Sequence, residues 1–100
     1  MNQKPVCLFA KWKIRDGQLE NVLPLLPELA QKSRAEEGNL FYKLHQSNSD
    51  ENTLMLYEVY ADANAVEAHR SSEHFQTIVL NKIVPNLEGR EAVLASEMDI

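Results

Sequence analysis

A single cysteine, Cys7, stands in this chain of 100 residues. No intramolecular disulfide can form, and a cysteine-rich metal centre is excluded. The scarcity fits a reducing compartment. Basic residues are also few: ten Lys and Arg against fifteen Asp and Glu, for a formal net charge of −5. Nucleic acid, whose phosphates reward clustered cations, is therefore not an expected partner. Lys11, Lys13 and Arg15 come nearest to a basic cluster, and at the end of an alternating segment they read as solvated. No apolar run approaches the ~20 residues of a membrane-spanning helix. Val6–Ala10 is too short for the apolar core of a secretory leader, and no small-residue cleavage site follows it. The expected location is cytoplasmic, without a membrane partner. Dinucleotide, phosphate-loop and flavin fingerprints are absent, as are an HExxH pair and a Ser/His/Asp order.

What is present describes an ordinary soluble globular chain, 44% hydrophobic and 25% charged. The length suits one domain, residues 1–100. A domain of this size buries only about two thirds of its unfolded surface, so an oligomeric interface would extend its core.

Val6, Leu8, Ala10 and Trp12 alternate with Cys7, Phe9, Lys11 and Lys13, which predicts a strand over about residues 5–14. Asp16-Gly17 marks a turn, with Asp16 a candidate helix N-cap. Leu19, Val22, Leu23, Leu26, Leu29 and Ala30 recur at helical spacing up to about Ala35. Pro24 and Pro27 each remove a backbone N–H and crowd the preceding turn, so a kink or break is expected near Leu23–Leu26. Gly38 suits a helix C-terminal turn. Leu40–Gln46 alternates, with Leu40, Tyr42 and Leu44 on one face and Phe41, Lys43 and His45 on the other. The polar stretch Ser47–Asn52 is a hairpin loop. Thr53–Tyr60 is a third strand, placing Leu54, Leu56, Glu58 and Tyr60 on one face and Met55, Tyr57 and Val59 on the other.

Asp62 is the expected N-cap of a short helix over Ala63–Arg70, and Ser71 or Ser72 that of the next. The apolar face of that next helix is Phe75, Ile78, Val79 and Ile83, and Pro85 ends it. Ala92–Ser96 supplies a last strand. The order β-α-β-β-α-α-β predicts an α+β, ferredoxin-like sandwich with a four-stranded antiparallel sheet. The sheet face away from the helices carries Phe41, Met55 and Tyr57, too apolar to be left bare. A homodimer packing sheet on sheet is its simplest cover.

Glu58 falls mid-strand on the face shared with Leu54, Leu56 and Tyr60. It reads either as a general acid/base, raised in pKa by burial, or as a structural anchor. His69 follows Ala65 and Val66 by one helical turn and can exchange a proton near neutral pH. His74 opens the following helix, where it either serves the site or packs beneath the hinge between the helices. Five residues separate His69 from His74, which would splay them around a continuous helix, so no metal site is expected. Asn39 could donate to a substrate oxygen or shape its turn. Tyr42, Tyr60, Trp12 and Phe75 could line an aromatic slot or be plain core. His45 belongs to the surface or an interface.

Glu36-Glu37-Gly38, a tyrosine-bearing strand, Tyr57-Glu58-Val59-Tyr60 and His69-Arg70-Ser71-Ser72-Glu73-His74-Phe75 follow in that order. The pattern E-x-G, Y-E-x-[YW], H-x-x-S-x-H-F resembles the antibiotic biosynthesis monooxygenase (ABM) domain family. The resemblance implies a small dimeric ferredoxin-like protein, a dimeric α/β barrel. It also implies kinship with quinol oxygenases that use no cofactor and with the enzyme that isomerises or degrades autoinducer-2 phosphate. On it, the expected activity is oxidation of a quinol or other electron-rich aromatic with no cofactor. His69 and Glu58 would handle protons, and Asn39 and Tyr42 would position an oxygen. The alternatives are isomerisation of a small phosphorylated dicarbonyl and a non-catalytic dimeric ligand-binding role.

Overall fold

The computed structural model describes residues 4–100. Its strands are β1 (Val6–Ile14), β2 (Asn39–Gln46), β3 (Thr53–Tyr60) and β4 (Leu87–Ala95). They form one antiparallel sheet in the order β2-β3-β1-β4. The helices are α1 (Leu19–Val22), α2 (Leu26–Arg34), α3 (Ala63–Ser71) and α4 (Phe75–Ile83). In α4 the Val84 N–H reaches back five residues to the Val79 carbonyl, the wide winding of a π-helix.

Local chemistry accounts for most of these boundaries. The proline pair breaks the first helical segment as expected. A 3₁₀ turn over Leu23–Leu25 separates α1 from α2, with a proline in the first turn of each new segment. Asp62 caps α3, its Oδ1 accepting from the Ala65 N–H at 2.8 Å. The Ser72 hydroxyl donates to the His69 carbonyl at 2.6 Å and accepts from the Phe75 N–H at 3.2 Å. It thus closes one helix and opens the next.

Four local expectations change. Asp16 does not cap α1. Its Oδ1 accepts from the Asn52 amide instead, and Gln18 precedes the helix with no side-chain cap. Gly38 is not a left-handed helix cap, because among the described residues only Gly17 has positive φ. A Cβ at Gly38 would lie 2.4 Å from the Ala65 Cβ, so this glycine lets α3 approach the chain entering β2. The register slips between Asn39 and Phe41, which leaves Leu40 exposed and off the face of Tyr42 and Leu44. Finally, β4 begins five residues before the expected Ala92. Glu88–Glu91 breaks the apolar alternation, but an edge strand tolerates charge while its backbone pairs with β1.

The core fills the space between helices and sheet. Ile14, Val22, Leu29, Leu54, Val79 and Ile83 are its most buried aliphatics, at 2% exposure or less. The opposite sheet face leaves Phe9 48%, Met55 41% and Val93 59% exposed. The Tyr57 ring lies 4.9 Å from that of Phe9 and 5.2 Å from that of Phe41. Among the described residues, no helix is long and apolar enough to cross a membrane.

Candidate active site

The turn after α2 delivers Glu36. Its N–H bonds to the Ser33 carbonyl and its own carbonyl accepts from the Asn39 N–H, which fixes the loop beneath α3. From the last turn of α3 comes His69, 3% exposed. At Ser72 the backbone turns extended (φ −66°, ψ 151°), ending the helix, and His74 folds back from the following turn. The two imidazoles therefore do not splay around one helix. They converge on Glu36, whose Oε2 lies 2.7 Å from His69 Nδ1 and 2.5 Å from His74 Nε2. The expectation of divergence fails because it assumed an unbroken helix.

A carboxylate oxygen can only accept, so both ring nitrogens act as N–H donors. This assigns the His69 proton to Nδ1 and leaves Nε2 with its lone pair while the ring is neutral. Burial pushes the His69 imidazole below its ordinary value, against the opposing pull of Glu36. On the other side of the ring, Nε2 lies 3.7 Å from Glu58 Oε1. Burial raises the Glu58 carboxyl to about 7, against the hydrogen bond from Tyr60, whose hydroxyl donates to Oε1 at 2.5 Å. A proton acceptor and a carboxyl poised near neutrality thus face each other, with a carboxylate orienting the acceptor from behind.

His69 and Glu58 both line a cavity of about 90 Å³ between the sheet and the helices. Its wall includes Trp12, Tyr42, Glu58, Val66, His69 and Phe75, and its mouth carries Arg70 and Arg90. The Phe75 ring packs edge-on against His69 at 5.2 Å, which restricts the imidazole further. A larger hollow of about 500 Å³ lies on the far sheet face, lined in part by Cys7, Tyr57 and Val59. Its charged groups, Lys4, Glu97 and Asp99, are exposed and include no imidazole, so the smaller cavity is the candidate site.

The structure brings together five of the eight residues singled out in the sequence: Trp12, Tyr42, Glu58, His69 and Phe75. Tyr60 reaches the cavity through its bond to Glu58. His74 stands behind His69, on Glu36. Asn39 does not join them. Its amide donates to the Phe41 carbonyl at 3.1 Å and braces the β2 irregularity. Tyr42 offers the cavity its ring while its phenol neighbours the buried Ser33 hydroxyl on α2, and burial raises the phenol's pKa. Its ring thus forms part of the cavity wall. His45 is a surface residue, its Nδ1 3.3 Å from the Met55 carbonyl.

Glu36 was not among the expected site residues, although the E-x-G element of the motif contains it. One ligand atom from each of Glu36, His69 and His74 falls within 4.8 Å of the others. Both histidines spend an N–H on the same oxygen, so a cation there would have to displace two protons.

Comparison with known proteins agrees with this architecture. The sequence profile of the family described as "Antibiotic biosynthesis monooxygenase" matches residues 5–80. The chain is 36% identical over 95 residues to "Putative monooxygenase YcnE" of Bacillus subtilis (strain 168), covering 95% of this chain and 92% of that protein. It superposes on the crystal structure of PA3566 from Pseudomonas aeruginosa with a TM-score of 0.89 at 28% identity, covering 98% of both chains. A crystal structure titled antibiotic biosynthesis monooxygenase gives 0.88 at 26% identity, over 93% of this chain and 98% of that one. The chain belongs to the antibiotic biosynthesis monooxygenase family.

Proposed function

We propose that this protein is a monooxygenase that oxidises a quinol or other electron-rich aromatic without a metal or organic cofactor. His69 is the general base and Glu58 its proton-handling partner. The substrate class rests on family membership, and the proton chemistry on geometry. The observation that carries the reading is the arrangement around His69. Nδ1 is committed to Glu36, and Nε2 faces an apolar cavity opposite a carboxyl raised to about 7. A base with an accessible lone pair in a desolvated site is what deprotonation of a phenol or an activated ring carbon requires.

The steps balance without a redox cofactor. The proton of an activated CH₂ carbon passes to His69 Nε2. The resulting carbanion transfers an electron to O₂, the radical pair recombines to C–OO⁻, and the proton held on His69 Nε2 converts this to C–OOH and frees the base. Loss of the remaining C–H proton and cleavage of the O–O bond give C=O. The departing hydroxide takes up a proton from the His69–Glu58 pair and leaves as water. Substrate supplies the electrons, and the protein supplies orientation and proton transfer.

The test is oxygen uptake by chelator-treated, cofactor-free protein with a panel of hydroquinones and anthrone-like aromatics, beside the His69→Ala variant. Saturable uptake that disappears in the variant is expected. Uptake no faster than the spontaneous rate across the panel would remove the oxygenase reading.

The bare sheet face supports a homodimer. Phe9, Phe41, Met55 and Val93 make an apolar surface around Tyr57, and such surfaces mark interfaces. Sedimentation should give twice the 11.4 kDa chain mass. Phe9→Asp, at the centre of the face, should shift it to one chain mass. A wild-type monomer at micromolar concentration would contradict the assembly.

A further inference from the structure

The cavity below His69 encloses only about 90 Å³, whereas sites that engulf a small ligand run from ~300 to ~1,000 Å³. It admits no more than the reacting ring, and the rest of any substrate lies in the mouth. That mouth is flanked by two guanidinium groups from different elements. Arg70 follows the base directly on α3. Arg90 sits on β4 opposite Trp12, so it shares the cavity side of the sheet.

Neither arginine is strongly engaged. Arg70 touches Glu67 at 3.3 Å, and that pair is well exposed, a contact of small worth. Among the described residues, Arg90 forms no ion pair. Glu91 also borders the mouth but stands opposite Lys11, on the other sheet face. Glu58, deeper in, is the remaining acidic residue of the wall. On a chain of net charge −5, two exposed arginines lining one cavity are not a reflection of the general surface.

We infer that the substrate carries an anionic group on the outer side of its reactive ring, held in the mouth between Arg70 and Arg90. A carboxylate, sulfonate or phosphate has the planar or tripod oxygens that a guanidinium grips with two N–H bonds. The inference rests on the proposed use of the cavity for an aromatic ring. It adds a specificity element, because a neutral quinol would reach His69 without this anchor.

Binding can be measured without turnover. The probes are 4-hydroxybenzenesulfonate and its uncharged near-isostere 4-hydroxybenzenesulfonamide, titrated by heteronuclear NMR into wild type and an Arg70→Glu/Arg90→Glu variant whose folding is checked by thermal melting. We expect wild type to prefer the sulfonate by about tenfold at low salt, and 0.5 M salt to weaken that preference. Double charge reversal should erase or invert it, a change of about ten- to a hundredfold in the affinity ratio. Arms with 4-hydroxybenzoate and 4-hydroxyphenyl phosphate identify the anion that fits. Equal affinities in wild type, a preference that survives in the variant, or binding of neither probe overturns the inference. Failure of the oxygenase reading shows separately, as absent oxygen uptake with the sulfonate preference intact.

Discussion

Replacing His69 with asparagine is expected to lower turnover by about 10²–10⁴-fold, the contribution of a well-placed general base, and to leave the protein folded. Asparagine isolates the chemistry from the structure. Its side-chain amide can stand where Nδ1–H stands and still donate to Glu36, whereas nothing replaces Nε2 over the cavity. His69→Ala removes both functions. It leaves the Glu36 carboxylate, 2.7 Å from Nδ1 in the wild type, with one donor fewer, and opens a void beside Phe75. The alanine variant should therefore lose activity and melting temperature together, and the asparagine variant chiefly activity. Steady-state oxygen uptake and thermal melting on the same preparations separate the two effects. Equal turnover in the asparagine variant and wild type would show that the base lies elsewhere.

Glu58→Gln should stabilise the protein at alkaline pH. The folded-state carboxyl titrates at about 7, against 4.5 for an ordinary glutamate. Between those values the folded protein binds more protons than the unfolded chain, so stability falls as pH rises through the window. At 1.36 kcal/mol per pKa unit the loss approaches about 3–4 kcal/mol and is nearly complete by pH ~8. Glutamine keeps an oxygen for the Tyr60 hydroxyl and carries no charge. The advantage of the variant should be near zero at pH 4 and greatest at pH 8, read from denaturant midpoints at each pH. His69 contributes the opposite slope: its folded-state pKa is lowered, so its contribution grows as pH rises towards its unfolded value of 6.5. Glu58 and His69 lie 3.7 Å apart, so the difference between the two proteins reads Glu58 together with the change its loss makes in the His69 titration. The same substitution should remove the alkaline limb of the rate profile if protonated Glu58 returns the proton. An advantage that is flat with pH would mean that Glu58 titrates in the fold as it does in the unfolded chain.

On the proposed mechanism, stability and activity pull apart at this residue, because an uncharged side chain would suit the apolar cavity better while a carboxyl is needed to handle the proton.

Local signals carried most of the fold. Alternation placed Trp12 and Glu58 on the helix side and Met55 on the open side, because a strand's period of two leaves no freedom once one face is apolar. Pro24 and Pro27 announced the break between α1 and α2 through the chemistry of the ring. The early part of β4 was hidden because Glu88–Glu91 pairs by its backbone at a sheet edge, where side-chain pattern carries little information. Leu40 was misplaced by a register slip that no local residue type dictates.

The site was legible in its histidines and in Glu58, each of which occupies a patterned position. Glu36 was not, because its role depends on long-range packing. Gly38 lets α3 approach the chain, and the break at Ser72 turns His74 back towards His69. Asn39 looked chemically apt by residue type, yet its amide is spent on the backbone of its own strand.

The proposed mechanism needs one protonation state: Glu36 holds His69 as the Nδ1–H tautomer, with Nε2 unprotonated towards the cavity. Long-range ¹H–¹⁵N correlation of the imidazole rings, followed from pH 8 to pH 5, reads this directly and needs no substrate. We predict a neutral His69 ring with its proton on Nδ1, persisting below pH 6.5, and loss of that fixed tautomer in Glu36→Gln. A His69 ring protonated on Nε2, or fully charged at pH 7, would contradict the account, because no lone pair would then face the cavity.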